Sequence, residues 1–162
     1  MELRLIARQA YLEDWPALVE CWQRLKKSRH AWKISGDLPV LRHYFHLAGL
    51  NDGTFIPLLV DEWGSRVHGF AVIQECVQPT VGSDGRTMLP CTHSFIRALY
   101  VDAGTPAPDS KKLDDLMTAW AISRKHEFLC GSCRKDFPER FAARYGYEVA
   151  HVVVRKQLKE VR

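Results

Sequence analysis

The sequence predicts an α/β (α+β) domain: a mixed, mostly antiparallel central sheet with helices on both faces and a parallel strand pair. Three observations carry this. Apolar residues recur at three- and four-residue steps over Trp15–Leu25 and Leu113–Ala121, as on helices that bury one face. Runs of β-formers bounded by turn residues mark strands around residues 55–76, 92–102 and 147–158. A strand–helix–strand order late in the chain requires a parallel pair, whereas a four-residue turn at 62–65 requires an antiparallel one.

The elements follow in order. Leu3–Arg8 partly alternates and predicts a strand. Asp14 is placed to cap the first helix and Pro16 suits its first turn; Trp15, Leu18, Val19, Trp22 and Leu25 form its core stripe. A second helix is expected from about Asp37, with Pro39 in its first turn and Leu38, Leu41, Phe45 and Ala48 on one face. Asn51-Asp52-Gly53 stops it. Phe55–Asp61 and Arg66–Cys76 read as a hairpin closed by Glu62-Trp63-Gly64-Ser65. Pro79–Pro90, with its Pro, Gly, Ser and Asp, reads as a mobile loop. Thr92–Asp102 is the next strand, with Phe95, Arg97, Leu99 and Val101 on one face and Ser94, Ile96, Ala98 and Tyr100 on the other. Pro106 and Pro108 exclude regular structure from Ala103–Pro108, so Asp109 or Ser110 is expected to cap the following helix. A short strand at Glu127–Cys130, a helix through Phe137, Phe141 and Tyr145 that ends at Gly146, and a Val-rich strand from Tyr147 to Leu158 complete the order.

Size and charge narrow the function. A chain of 162 residues suits a single domain, 1–162, and 46% hydrophobic residues supply a sizeable core. No apolar run reaches the roughly 20 residues of a membrane helix, and the N-terminus lacks a signal-peptide core. A net charge of +4, with acids interleaved among the bases, gives no nucleic-acid footprint. Lys26-Lys27-Ser28-Arg29 reads as a solvated helix end. Five scattered cysteines form no disulfide framework, which points to reduced thiols in the cytoplasm.

Phe95-Ile96-Arg97-Ala98-Leu99-Tyr100-Val101-Asp102, then a loop and a helix ending Trp120-Ala121, resembles the fourth strand and following helix of the GNAT superfamily of N-acetyltransferases. Arg140-Phe-Ala-Ala-Arg-Tyr-Gly-Tyr-Glu-Val149 is similar to that family's last helix, Gly-aromatic break and closing strand. The resemblance implies acetyl transfer from acetyl-CoA to an amine, on a small molecule or a protein, without a metal. It implies that backbone groups at Leu99, Tyr100 and Val101 hold the pantetheine arm. The pyrophosphate would sit at the next helix's N-terminus, near Ser110, Lys111 and Lys112.

The loop departs from the family's glycine-rich pattern. Gly104 is its one glycine, Pro106 and Pro108 lack N–H donors, and Asp109 brings an acid where phosphate would bind. For the general base, Glu75 and His93 are the candidates. For the acid that protonates the CoA thiolate, the family's position falls on Ala142, and Tyr145 is the nearby phenol. The alternative is a catalytically inactive GNAT-like binding or structural protein, such as a phage component. A homodimer through the sheet edge is an analogy from the same family.

Three further residue groups carry other candidate chemistry. Cys130-Gly-Ser-Cys133 has redox-dithiol spacing but too little sheet after it for a thioredoxin-like domain. Cys91, His93, Cys130 and Cys133 have zinc-ligand types, but the start of one parallel strand and the end of the next are expected at opposite edges. His43 and His46 read as helix surface, and His30, Trp32 and Tyr44 as candidate walls of an acceptor groove.

Overall fold

The computed structural model describes residues 4–28, 38–81, 84–131, 143 and 145–147. The chain divides into two compact units, Met1–Gly131 and Ser132–Arg162. The first holds β1 (Leu5–Gln9), a 3-10 turn (Leu12–Asp14), α1 (Trp15–Lys27), α2 (Leu38–Gly49), β2 (Thr54–Phe55), β3 (Pro57–Asp61), β4 (Val67–Val81), β5 (Met88–Val101), α3 (Ala107–Ser123) and β6 (Leu129–Gly131). In the second unit Tyr145 is helical and Gly146 follows with φ +73°, the left-handed terminator expected there. The strand expected over 147–158 and the helix start near Phe137 lie outside the described residues, as does the Asp37 cap of α2.

Among the described residues, six strands form one sheet in the order β1-β3-β4-β5-β6, with β2 on β4. All of these described pairs are antiparallel except β5–β6, which the α3 crossover makes parallel. Helices cover both faces. On one, Leu18, Cys21, Trp22 and Leu25 of α1 and Leu41 of α2 pack on Leu58, Val60, Val67, Phe70 and Val72. On the other, Met117, Leu116 and Trp120 of α3 pack on Phe55, Ala71, Ile73 and Ile96. This is the mixed α+β architecture expected. The α3 stripe is also as expected, with Leu113, Met117 and Ala121 buried. The α2 stripe is narrower, because Leu38 is exposed.

Four local expectations are corrected. The Pro79–Pro90 segment is mostly strand, not loop: Pro79 opposes Pro90, Thr80 opposes Leu89 and Val81 opposes Met88. Ser94 N–H and the Thr92 carbonyl bond toward the β6 side, so by alternation Pro90's missing N–H faces away from β4. Glu75 N–H bonds Gly53 on β4's other side, so Pro79's does likewise. Neither proline costs a β4–β5 ladder bond.

The strict alternation of β5 also fails. Ile73 opposes Ile96 but Val72 opposes Ala98, so Arg97 is an extra residue in a bulge. Ile96 and Leu99 therefore both pack toward α3, while Ala98 and Tyr100 pack toward α1. Asp14 does not cap α1. Its carboxylate is buried and turns back to accept from Tyr11 N–H at 2.7 Å and Arg8 at 2.6 and 2.8 Å. Finally, α3 starts at Ala107 with Pro106 at the N-cap, and Asp109 lies inside the first turn. Pro108 is tolerated because first-turn N–H groups have no intrahelical partner to lose.

Candidate functional site

The bulge at Arg97 decides what the C-terminal end of β5 presents. Asp102 N–H donates to the His68 carbonyl at 2.7 Å, so Tyr100 and Asp102 turn their backbone groups toward β4. Leu99 and Val101 consequently point theirs away from β4. Among the described residues β6 pairs only with Ser94–Ile96, so no described strand meets Leu99–Val101 on that side. The result is a short run of matched N–H and C=O groups open to a partner.

This end of β5 is anchored by charge. Asp102 accepts from Arg24 of α1 at 2.9 and 3.2 Å and from Arg66 at 3.4 Å, and His68 Nδ1 lies 3.8 Å away. Arg24 also reaches the Val67 carbonyl. Burial raises the Asp102 pKa, but hydrogen bonds from Arg24 and Tyr100 outweigh it and hold the carboxyl below its ordinary value. Burial and the Arg66 charge push His68 down, toward the neutral imidazole. Gly69 lies opposite Val101, and a Cβ there would meet the Tyr100 carbonyl at 2.8 Å, so only glycine lets the strands approach so closely.

A cleft of about 750 Å³ opens beside this anchor. It is lined by Arg4, Arg66, His68, Asp102, the Ala103–Pro106 loop, Asp109 and Lys112. Gly104 turns that loop with φ +85°. Lys112 Nζ bonds Asp109 at 2.6 Å and the Leu5 carbonyl at 2.8 Å, which ties α3 to β1. Ser110 is buried, and its hydroxyl donates to the Ala107 carbonyl at 3.0 Å. Lys111 is exposed and pairs with Asp115. At the helix start, Asp109 and Ser110 N–H groups both bond the Pro106 carbonyl at 3.0 Å, and Pro108 has no N–H.

Glu75 and His93 occupy the other end of the sheet. Glu75 opposes Ser94 and His93 opposes Cys76, so the two neighbouring positions face opposite sides of the sheet. Glu75 lines a second cleft of about 440 Å³ with Thr92, Ser123, Arg124 and Lys125. Its Oε2 accepts from Arg124 at 3.1 and 3.0 Å and pairs with His126 Nε2 at 2.8 Å. The His126 bond, then Arg124, holds the Glu75 carboxyl below its usual value against the opposing effect of burial. His126 Nδ1 meets the Ser94 hydroxyl at 2.5 Å, and both side chains are fully buried. His93 is 3% exposed.

Tyr145 belongs to the second unit and is half-buried there. The structure thus brings Lys112 to the Asp102 cleft and Leu99–Val101 to an edge that no described strand covers. Glu75 and His93 line neither. The spacing of the sequence does not single out Arg24, Asp102 or His126; Arg24 sits more than two turns past Trp15-Pro16, beside the core residue Leu25, and His126 carries no sequence signal.

The zinc expectation also needs correcting. Cys130 stands beside Phe95, two residues from His93, so the separate-edges argument does not hold. Even so, among the described residues no three His, Cys, Asp or Glu side chains are set to hold a metal ion; Cys133 lies outside them. Tyr44 packs against the core rather than lining a groove, and His30 and Trp32 fall outside the described residues. No described helix is long and apolar enough to cross a membrane.

No family model matches the chain, and no curated protein matches it in sequence. Solved structures do match in fold. A tetramutant of the BH1408 protein from Bacillus halodurans superposes with TM-score 0.72 at 16% identity, covering 94% of this chain and 99% of that one. Glucosamine-6-phosphate N-acetyltransferase from Arabidopsis thaliana gives 0.67 at 12% identity, with 96% and 99% covered. AAC(6')-Iy, solved with the bisubstrate analogue CoA-S-monomethyl-acetylneamine, gives 0.70 at 12% identity over 96% and 99%. With its mixed sheet, α3 crossover and parallel β5–β6 pair, the chain has the fold of the GNAT acetyltransferases.

Proposed function

We propose that this chain is an acyl-CoA-dependent N-acyltransferase that moves an acetyl group from acetyl-CoA to an amine, on a small molecule or a protein. The observation that carries the reading is the edge of β5 at Leu99–Val101, which among the described residues has no partner strand on the side away from β4. The amides of a pantetheine arm complement such an edge as an added strand would. The AAC(6')-Iy complex, with CoA in its bisubstrate analogue, supports a CoA ligand for this fold. In this reading Ser110, Lys111 and Lys112 lie near the phosphates. An unprotonated amine attacks the thioester carbonyl, and a β5 backbone N–H holds the developing oxyanion. Glu75 or His93 takes the amine proton. The reading places one 1–162 domain in the cytoplasm, as a monomer or homodimer, without metal, nucleic acid or membrane.

Thermal unfolding in the presence of acetyl-CoA tests it. A specific ligand at a hundredfold excess over its Kd adds about 2.7 kcal/mol of stability. An unchanged melting temperature at millimolar acetyl-CoA removes the reading. That outcome selects a second one, a non-catalytic GNAT-like binding or structural protein. The state of the α3 N-terminus favours it: Pro108 offers no donor, the Asp109 and Ser110 amides are taken by Pro106, and an acid sits in the first turn.

A further inference from the structure

The two sides of the β5 end differ in chemistry. Leu99–Val101 turn their backbone groups away from β4. The cleft of about 750 Å³ lies on the β4 side instead, where β1, β4 and α3 begin. Three cations, Arg4, Arg66 and Lys112, and two carboxylates, Asp102 and Asp109, line it.

Both carboxylates are already engaged. Arg24 takes the two oxygens of Asp102 at 2.9 and 3.2 Å, and Lys112 holds Asp109 at 2.6 Å. Two guanidiniums remain. Arg66 reaches Asp102 only at 3.4 Å, and its side chain is 57% exposed. Arg4 is exposed, and its guanidinium has no hydrogen bond or ion pair among the described residues. Adjacent β3 amides fix the backbones of both arginines: Glu62 N–H donates to the Arg4 carbonyl at 3.0 Å and Asp61 N–H to the Arg66 carbonyl at 3.2 Å. In the same lining, His68 has a buried Nε2 with no hydrogen-bond partner among the described residues.

A cleft with two uncommitted guanidiniums is positive and calls for an anion. The planar forks of arginine match phosphate oxygens, and the number of cations suits a dianion better than a single carboxylate. The volume suits a small phosphorylated molecule rather than a bare ion.

We propose that this cleft binds a small phosphomonoester, with Arg4 and Arg66 holding the phosphate. The site lies across β5 from the edge assigned to acetyl-CoA, and it stands whether or not acetyl-CoA binds.

The test titrates the full chain with glycerol 3-phosphate by calorimetry, with glycerol as the uncharged control. Glycerol 3-phosphate is expected to bind and glycerol is not. Arg4→Gln and Arg66→Gln should each weaken binding about fivefold, the upper end for an exposed charge interaction. Circular dichroism verifies that both variants fold. Arg4→Gln should leave any acetyl-CoA thermal shift unchanged. Failure of glycerol 3-phosphate to bind at millimolar concentration overturns the proposal, and so does unchanged affinity in both variants. Displacement of glycerol 3-phosphate by acetyl-CoA also overturns it, because the cleft would then hold the phosphates of CoA. Binding of glycerol 3-phosphate without any acetyl-CoA shift supports this site and removes only the acyltransferase reading.

Discussion

The two ends of β5 share one strand and one partner, β4, yet they present opposite surfaces. From Cys91 to Ile96 the strand lies between β4 and β6, and its buried hydroxyl, Ser94, is closed off by His126 and Glu75. From Leu99 to Asp102 it keeps β4 but has no described partner on its other side, and an ion cluster anchors its last residue. The change happens at one bulged residue, Arg97, which reverses which backbone groups turn outward. One end is braced by a strand on each side, and the other, among the described residues, by β4 alone.

Asp102→Ala should break the open end most severely. It leaves the Arg24 guanidinium half-buried without its carboxylate, at a cost of about 3 kcal/mol in urea unfolding. An acetyl-CoA thermal shift should disappear in this variant if the anchored edge holds the ligand. At the closed end, His126→Leu should cost about 2 kcal/mol, because it strands the fully buried Ser94 hydroxyl. The same variant should leave acetyl-CoA affinity within a factor of two, as the two ends are separate; equal losses in both variants would erase the contrast. Pro108→Ala sharpens it from the other side. A restored amide at the α3 start should tighten acetyl-CoA binding about tenfold by calorimetry, the worth of one hydrogen bond to a charged group.

The smallest effect is on acid stability. Asp102 has a folded pKa below its unfolded one, so its contribution is present above the ordinary carboxylate range near pH 4 and is lost as pH falls through the folded value. The stability difference between the native protein and Asp102→Asn should therefore be constant near pH 6 and shrink below about pH 4.

Much of the fold was legible because helix stripes and turn residues act locally. The Leu113–Ala121 stripe and the Gly146 stop need only neighbours a turn away. What stayed hidden depends on distant partners. Pro79 and Pro90 read as loop residues because their harmlessness depends on which side of the ribbon has a third strand. Asp14 read as a cap because its true partner, Arg8, lies on a strand whose direction is set by β3. The candidate site was legible at Leu99–Val101 as a position but not as an open edge, since no residue type announces a bulge at Arg97. Glu75 was legible as a carboxylate but not as a member of a buried chain through His126.

The β4–β5 pair also carries a consequence for the order of assembly. Its contacts are local, joined across residues 82–87, so it closes a short loop and can form early. β1, by contrast, pairs with β3 some fifty residues later and receives Lys112 of α3 on its Leu5 carbonyl. During synthesis β1 must therefore wait for β3 to emerge before it can pair, and for α3 before its Leu5 carbonyl receives Lys112.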